Sequence, residues 1–189
     1  MKIYTKTGDS GETGVIGGRV KKDSVIIQTL GSFDELNAHI GLLSELSKQH
    51  NLNNPYLTKL QNLIFNIGSE LCGANVTKDF KKYIKELERE IDNISNELEP
   101  LTQFILPGGN ILSSHAHICR TICRRTERQV VEYSELVNEQ KPENMKIDYQ
   151  NLKDILKFTN RLSDYFFVLA RSLNSKLKTN DIYWDKNIN

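Results

Sequence analysis

The chain has 189 residues, 38% of them hydrophobic and 26% charged, with a formal net charge of +1 at pH 7. That length fits one domain with its own core, and that composition excludes a disordered chain; no apolar run approaches the roughly 20 residues that span a bilayer. A net charge so near zero supplies no global attraction for nucleic acid, so any anion site has to be a local cluster.

The opening stretch TKTGDSGETGVIGGR, Thr5 to Arg19, holds five glycines, three threonines and a serine. Backbone N–H groups freed at Gly8, Gly11 and Gly14 can form an anion nest, with the hydroxyls of Thr5, Thr7, Ser10 and Thr13 as further donors. It is not a common phosphate loop: G-x-x-x-x-G-K-[ST] is absent, and Lys6 precedes the glycines. By itself such a stretch is a weak anion signal, and a mobile N-terminal tail is its more common explanation. SVIIQTL, Ser24 to Leu30, reads as extended.

Helical periodicity then takes over. A first helix is expected from Ser32 or Asp34 to about Ser47, with Phe33, Leu36, Ile40, Leu43 and Leu46 as its apolar stripe. NNP at Asn53 to Pro55 breaks it, and a second helix buries Leu57, Leu60, Leu63, Ile64, Ile67 and Leu71. A third is expected from Lys78 to Leu98, a fourth from Ser113 to Asn138 and a fifth from Tyr149 to Lys178. The prolines and glycine pair of EPLTQFILPGGN separate the third from the fourth, and EQKPENMKID forms the loop before the fifth. The expected fold class is all-α, a five-helix up-and-down bundle forming one domain over 1–189. Residues 1–31 form a glycine-rich arm and extended segment, 32–178 the bundle and 179–189 a tail.

The fourth helix carries Arg120, Arg124 and Arg128 at i, i+4 and i+8, with Glu127 beside them. Three guanidinium groups on one face repel, and the neighbouring Ile118, Ile122, Val130 and Val131 imply a mostly buried helix. Something anionic has to meet them: internal carboxylates such as Asp34, Glu35 and Asp164, or a polyphosphate gripped by the planar Arg fork. His115, Cys119 and Cys123 share another face of that helix. One helix cannot wrap three ligands around a tetrahedral ion, so they read as packing, and no metal site is assigned to the protein. Asn160, Arg161 and Asp164 lie within an apolar helix, either as structural anchors or as a site wall.

Four segments in order, TKTGDSGET, GSFDELNAHIG, FILPGGN with HICRTICRRTERQV, and NRLSDYFFVLAR, resemble the PduO-type ATP:cob(I)alamin (corrinoid) adenosyltransferases from Tyr4 to about Arg171. The resemblance implies a homotrimer with active sites between subunits, and transfer of the 5′-deoxyadenosyl group of ATP to the cobalt of reduced cob(I)alamin with release of triphosphate. It implies that ATP, with Mg²⁺, meets Thr5, Lys6, Thr7, Gly8, Gly11, Thr13, Lys22, Arg124, Glu127, Arg128 and Asn160. Arg124 and Arg128 then act as electrostatic catalysts. Asp34 and Arg120 form a salt bridge between subunits. Phe104 packs below the corrin and excludes its lower axial ligand, with His117 also at the corrinoid. A reductase and an adenosylcobalamin-dependent enzyme are the implied further partners, with neither nucleic acid nor a membrane. The alternative is a corrinoid or nucleotide carrier without turnover. His115, Thr126 and the loop from Glu139 to Asp148 depart from the family pattern. Three cysteines, an odd number, fit a reducing compartment, and the N-terminus lacks the features of a signal or transit peptide, so a cytoplasmic location is expected.

Overall fold

The structure, a computed structural model, describes residues 2–16, 18–74, 76–77, 79–140 and 149–188. In chain order these form β1 (Glu12–Val15), β2 (Gly18–Lys21), α1 (Val25–Gln49), α2 (Pro55–Leu71), α3 (Phe80–Ser95), α4 (Ile111–Gln140) and α5 (Tyr149–Lys176). The five expected helices are present. α4 packs between α1 and α5, α2 lies against the outer side of α1, and α3 against α5. One apolar core runs through all five, with Leu36, Ile40, Leu60, Leu87, Leu112, Cys119, Ile155 and Phe166 fully enclosed.

α1 begins seven residues before the expected Ser32, so SVIIQTL is helical and not extended. Val25, Ile26 and Ile27 favour strands by local propensity. Packing overrides that preference: Ile26, Thr29, Phe33, Leu36, Ile40 and Leu43 are buried at alternating three- and four-residue spacing, one continuous helical stripe. The Thr29 hydroxyl returns to the Val25 carbonyl at 2.8 Å and reaches the Gln129 carbonyl of α4 at 3.4 Å. The bundle therefore starts at residue 25, and the arm is correspondingly shorter.

α1 stops before NNP, at Gln49, where His50 caps it and Asn51 turns left-handed at φ 57°, and NNP starts α2. Asn54 accepts the Tyr56 N–H at 3.1 Å, and Pro55 occupies the first helical position, where its missing N–H costs nothing. The Asp79 carboxylate caps α3 by accepting from the Lys82 N–H. The expected start at Lys78 and the loop residues 141–148 lie outside the described residues. α3 ends at Ser95, short of Leu98, and α5 at Lys176, short of Lys178; α4 is longer than expected at both ends.

Two further features escaped the sequence pattern. The arm folds on itself as an antiparallel hairpin, with Glu12 opposite Lys21 and Thr13 opposite Val20. The segment after α5 is not a free tail: Tyr183 bridges Ile105, while Leu106 N–H donates to the Ile182 carbonyl at 2.7 Å and Trp184 N–H to the Phe104 carbonyl at 2.9 Å.

Candidate active site

The arginine stripe runs along α4. Arg124 and Arg128 are exposed, and no carboxylate among the described residues pairs with either. Arg128 turns back and donates to the Arg124 carbonyl at 3.1 Å. The expected internal partners are used elsewhere or not at all. Glu35 pairs with Arg125, off the stripe, and Asp34 is exposed without an ion pair. Arg120 is half-buried, its Nε enclosed and without a partner, and burial followed by the charge of Arg124 pushes its guanidinium below its ordinary pKa. The helix is less enclosed than Ile118 and Val131 implied: both are exposed, whereas Ile122 and Val130 are buried.

Across from the stripe, α5 supplies a polar wall. Asn160 donates to the Glu127 carboxylate at 2.9 Å and accepts from Arg161 at 2.8 Å. Arg161 also donates to Glu88 of α3 at 3.1 Å and lies 4.0 Å from Asp164. Burial raises the Asp164 carboxyl; Arg161 and Arg124 oppose that and Glu127 reinforces it, so these groups share one field. Of the two readings of NRLSD, the exposed Arg161 and Asp164 favour the wall of a site. The sequence had not assigned Arg161, Asp164 or Glu88 to the site, although the first two stood out as polar residues in an apolar helix.

The arm forms a separate cluster. Thr5 and Thr7 hydroxyls are 2.9 Å apart, and Gly11 carbonyl accepts the Lys22 N–H at 2.9 Å. The Lys22 ammonium lies over Gly8, 3.0 Å from where a Cβ would stand, so only glycine admits that approach without displacing the lysine. Ser10, Gly11, Glu12, Lys21, Lys22 and Asp23 surround a hollow of about 390 Å³. Thr13 is half-buried on β1, and Lys6, with φ 61°, holds a left-handed backbone that a non-glycine residue adopts at a cost. Arg19, not expected to take part, ties the arm down by donating to the Thr7 carbonyl at 2.6 Å and the Glu12 carbonyl at 3.1 Å. Among the described residues, no hydrogen bond or ion pair joins this cluster to Arg124 or Arg128.

A third group lies at the other end of α4. Residues 113 and 128 are about 22 Å apart at 1.5 Å per residue. Near the first of these the Ser113 hydroxyl donates to the Gly108 carbonyl, which fastens the loop that carries Phe104. The Phe104 ring is 78% exposed and meets Trp184 edge-on at 6.2 Å between centroids. His117 is buried, with neither ring nitrogen hydrogen-bonded, and burial chiefly lowers its pKa to about 4. His115 pairs with His39, ring nitrogens 3.3 Å apart, and its Nε2 lies 3.0 Å from the His39 carbonyl. Cys119 and Cys123 are core residues, and the Cys123 thiol donates to the Thr159 carbonyl. The Thr126 hydroxyl is satisfied within α4 by Ile122.

The family model for cobalamin adenosyltransferases matches residues 3–173. The chain is similar to a corrinoid adenosyltransferase of Bacillus subtilis, 40% identical across 98% of this chain and 93% of the relative, and to a human corrinoid adenosyltransferase, 38% identical across 90% and 68%. It also superimposes on a PduO-type ATP:corrinoid adenosyltransferase from Lactobacillus reuteri, a phenylalanine-to-histidine variant complexed with cobalamin and ATP. That match has a TM-score of 0.84 and 34% identity, over 98% of this chain and 97% of the other. An arginine-to-lysine variant of that enzyme complexed with ATP matches with a TM-score of 0.82. The chain belongs to the cobalamin adenosyltransferase family, among its PduO-type members.

Proposed function

We infer that this protein is an ATP:corrinoid adenosyltransferase that moves the 5′-deoxyadenosyl group of ATP onto the cobalt of a reduced corrinoid. The observation that carries this reading is the unpaired pair of guanidinium groups, Arg124 and Arg128, beside a Glu127 held by Asn160. Neither charge meets a carboxylate among the described residues, and their planar guanidinium groups suit a polyphosphate.

In the reaction the Co(I) electron pair forms a Co–C5′ bond while the C5′–O bond breaks and its electrons leave with triphosphate. No side chain has to act as nucleophile, acid or base. The protein's task is orientation and charge. Arg124 and Arg128 stabilise the negative charge that grows on the departing triphosphate, and the donors of Thr5, Lys6, Thr7, Gly8, Gly11, Thr13 and Lys22 close on it from the arm. Glu127, fixed by Asn160, orients the nucleotide from the other side. Magnesium arrives on the nucleotide. Glu127 is the one carboxylate assigned to the nucleotide, so it is the side chain that would stand beside the ion, whose charge would help to neutralise the leaving triphosphate. Phe104 presents an apolar face below the corrin, where it displaces a lower axial ligand and eases reduction of Co(II) by a separate reductase; His117 is enclosed behind that surface and supports it from within.

The site is completed by a second copy, in a homotrimer. Arg120 buries an Nε without a partner in the single chain, while Asp34 is unpaired at the rim of an apolar hollow of about 340 Å³ lined by Leu30, Phe33, Ile64 and the exposed Phe65. A half-buried guanidinium without a counter-charge is costly, and a carboxylate from a neighbouring copy that meets its exposed part offsets that cost. No described helix is long and apolar enough to cross a membrane, and all three cysteines are free, which fits the reducing cytoplasm.

The test mixes the protein with chemically reduced cobalamin and Mg-ATP and follows the adenosylcobalamin spectrum and free triphosphate. Conversion with one triphosphate per adenosylcobalamin is expected. Tight binding of both substrates without conversion would establish the carrier alternative instead.

A further inference from the structure

Phe104 sits on a loop, its ring largely in solvent, yet the role inferred for it demands a fixed position under the corrin. Loop side chains are the least suited to such a task unless something else holds them. The structure supplies a brace. The C-terminal segment pairs with the Phe104 loop in an antiparallel manner through Ile105 and Tyr183, and Trp184 then meets the Phe104 ring edge-on. Chain termini are loosely held unless tied down, and here the tie is Asp181. Its carboxylate accepts from Arg171 Nε at 2.8 Å and from Asn174 Nδ2 at 2.9 Å. Both members of the Arg171–Asp181 pair are mostly enclosed, with side chains 12% and 16% exposed, so the contact is charge-assisted and little screened.

Asn174 links this tie to the loop itself. Its amide also donates to the Gly108 carbonyl at 3.1 Å, and its oxygen accepts from the Asn110 backbone at 3.2 Å and the Asn110 side chain at 3.0 Å. Gly109, between them, has φ +116°, and a Cβ there would collide with the Asn174 side chain. Loop and tail are thus referenced to one buried amide on α5. Arg171 extends the reference to the start of that loop by donating to the Glu99 carbonyl at 2.8 Å.

We propose that Asp181 and Trp184 are positioning residues: Asp181, gripped by Arg171 and Asn174, fastens the C-terminal segment to α5 so that Trp184 braces the Phe104 ring. Neither residue contacts the reacting atoms. This inference rests on the adenosyltransferase reading and on the role of Phe104 within it.

The experiment compares wild type with Asp181→Ala, Trp184→Ala and Trp184→Phe. It measures kcat and KM for ATP and for cobalamin, with Co(II) corrinoid as the starting material, and by electron paramagnetic resonance the fraction of bound Co(II) that lacks a lower ligand. Both alanine variants are expected to lower kcat roughly 10- to 100-fold and to shrink that fraction, with KM for ATP unchanged; Trp184→Phe restores both. Wild-type values of the fraction and of kcat in both alanine variants would overturn the proposal. A wild-type enzyme that converts no corrinoid would instead overturn the functional reading. Should Asp181→Ala fail to fold, Trp184→Ala decides alone, because its ring is half-exposed and supports no core.

Discussion

Asn160 of α5 donates its amide N–H to the Glu127 carboxylate of α4 at 2.9 Å while its oxygen accepts from Arg161. Both ends of the amide are engaged, so its orientation is set, and with it the position of Glu127. A carboxylate held in this way does not swing onto Arg124 or Arg128, which stay available to an anion. Asn160→Ala is expected to lower kcat/KM for ATP by roughly 10- to 100-fold, the range for losing a hydrogen bond to a charged group. Its melting temperature should change little, since Asn160 is only half-buried. Steady-state kinetics with varied ATP check this, and an unaltered kcat/KM would remove Asn160 from the site.

Arg124 offers a cleaner separation of catalysis from folding. It is exposed and unpaired, so its removal leaves neither a cavity nor an orphaned partner. It also relieves repulsion from Arg120 and Arg128, a matter of a few tenths of a kcal/mol for like charges four residues apart. Arg124→Ala should therefore keep or slightly raise the melting temperature while kcat falls on the order of 10²- to 10³-fold, as for loss of one preorganised donor to a developing anion. A large drop in melting temperature with retained activity would mark the stripe as a structural feature.

The five helices were legible because burial repeats every three to four residues from Phe33 to Leu43, Leu57 to Leu71 and onward, a signal that survives in one sequence. What escaped depended on contacts between distant segments. Val25 to Leu30 look extended residue by residue, and only their seat on α4 makes them helical. Ile182 to Trp184 carry no pattern of their own, and their partner lies some 80 residues earlier in the chain. Arg19 and Arg161 act by reaching backbone and side chains that no local spacing reveals. At the site, the sequence identified the stripe and the arm by residue type. The geometry shows which anions the stripe lacks: Glu35 is taken by Arg125, and Asp34 is not spent within the chain.

That unspent Asp34 and the half-buried Arg120, neither with an ion pair among the described residues, predict a contact between copies. Removing either partner should shift the mass measured by size-exclusion chromatography with light scattering from that of the proposed trimer toward monomer. Exchanging the charges, Asp34→Arg together with Arg120→Asp, should restore part of the assembly. An unchanged mass in both single variants would exclude the bridge. If the proposed trimer completes the site, the same variants should lose activity in proportion to the assembly lost, since no hydrogen bond among the described residues joins the arm to the stripe.

His117 predicts how stability responds to acid. It is 4% exposed with both ring nitrogens unpartnered, and its pKa falls from the ordinary 6.5 to about 4. Burial is the largest cause and the positive charge of Arg120 the next, with Asp181 opposing them. The folded protein thus keeps the ring neutral where the unfolded chain would protonate it. The sign follows directly: the contribution to stability is complete above about pH 6.5 and is lost as pH falls toward 4, where the unfolded state binds the extra proton. His115 adds in the same direction, lowered mainly by burial and then by His39, against the bond to the His39 carbonyl. Thermal denaturation between pH 7 and 4.5 should show a falling midpoint, with His117 accounting for roughly 1–3 kcal/mol. In His117→Leu, which cannot titrate, the acid limb should flatten by that amount even if the variant is less stable at neutral pH. Parallel curves for wild type and His117→Leu would mean that the ring finds a proton acceptor in the folded state and is not held neutral.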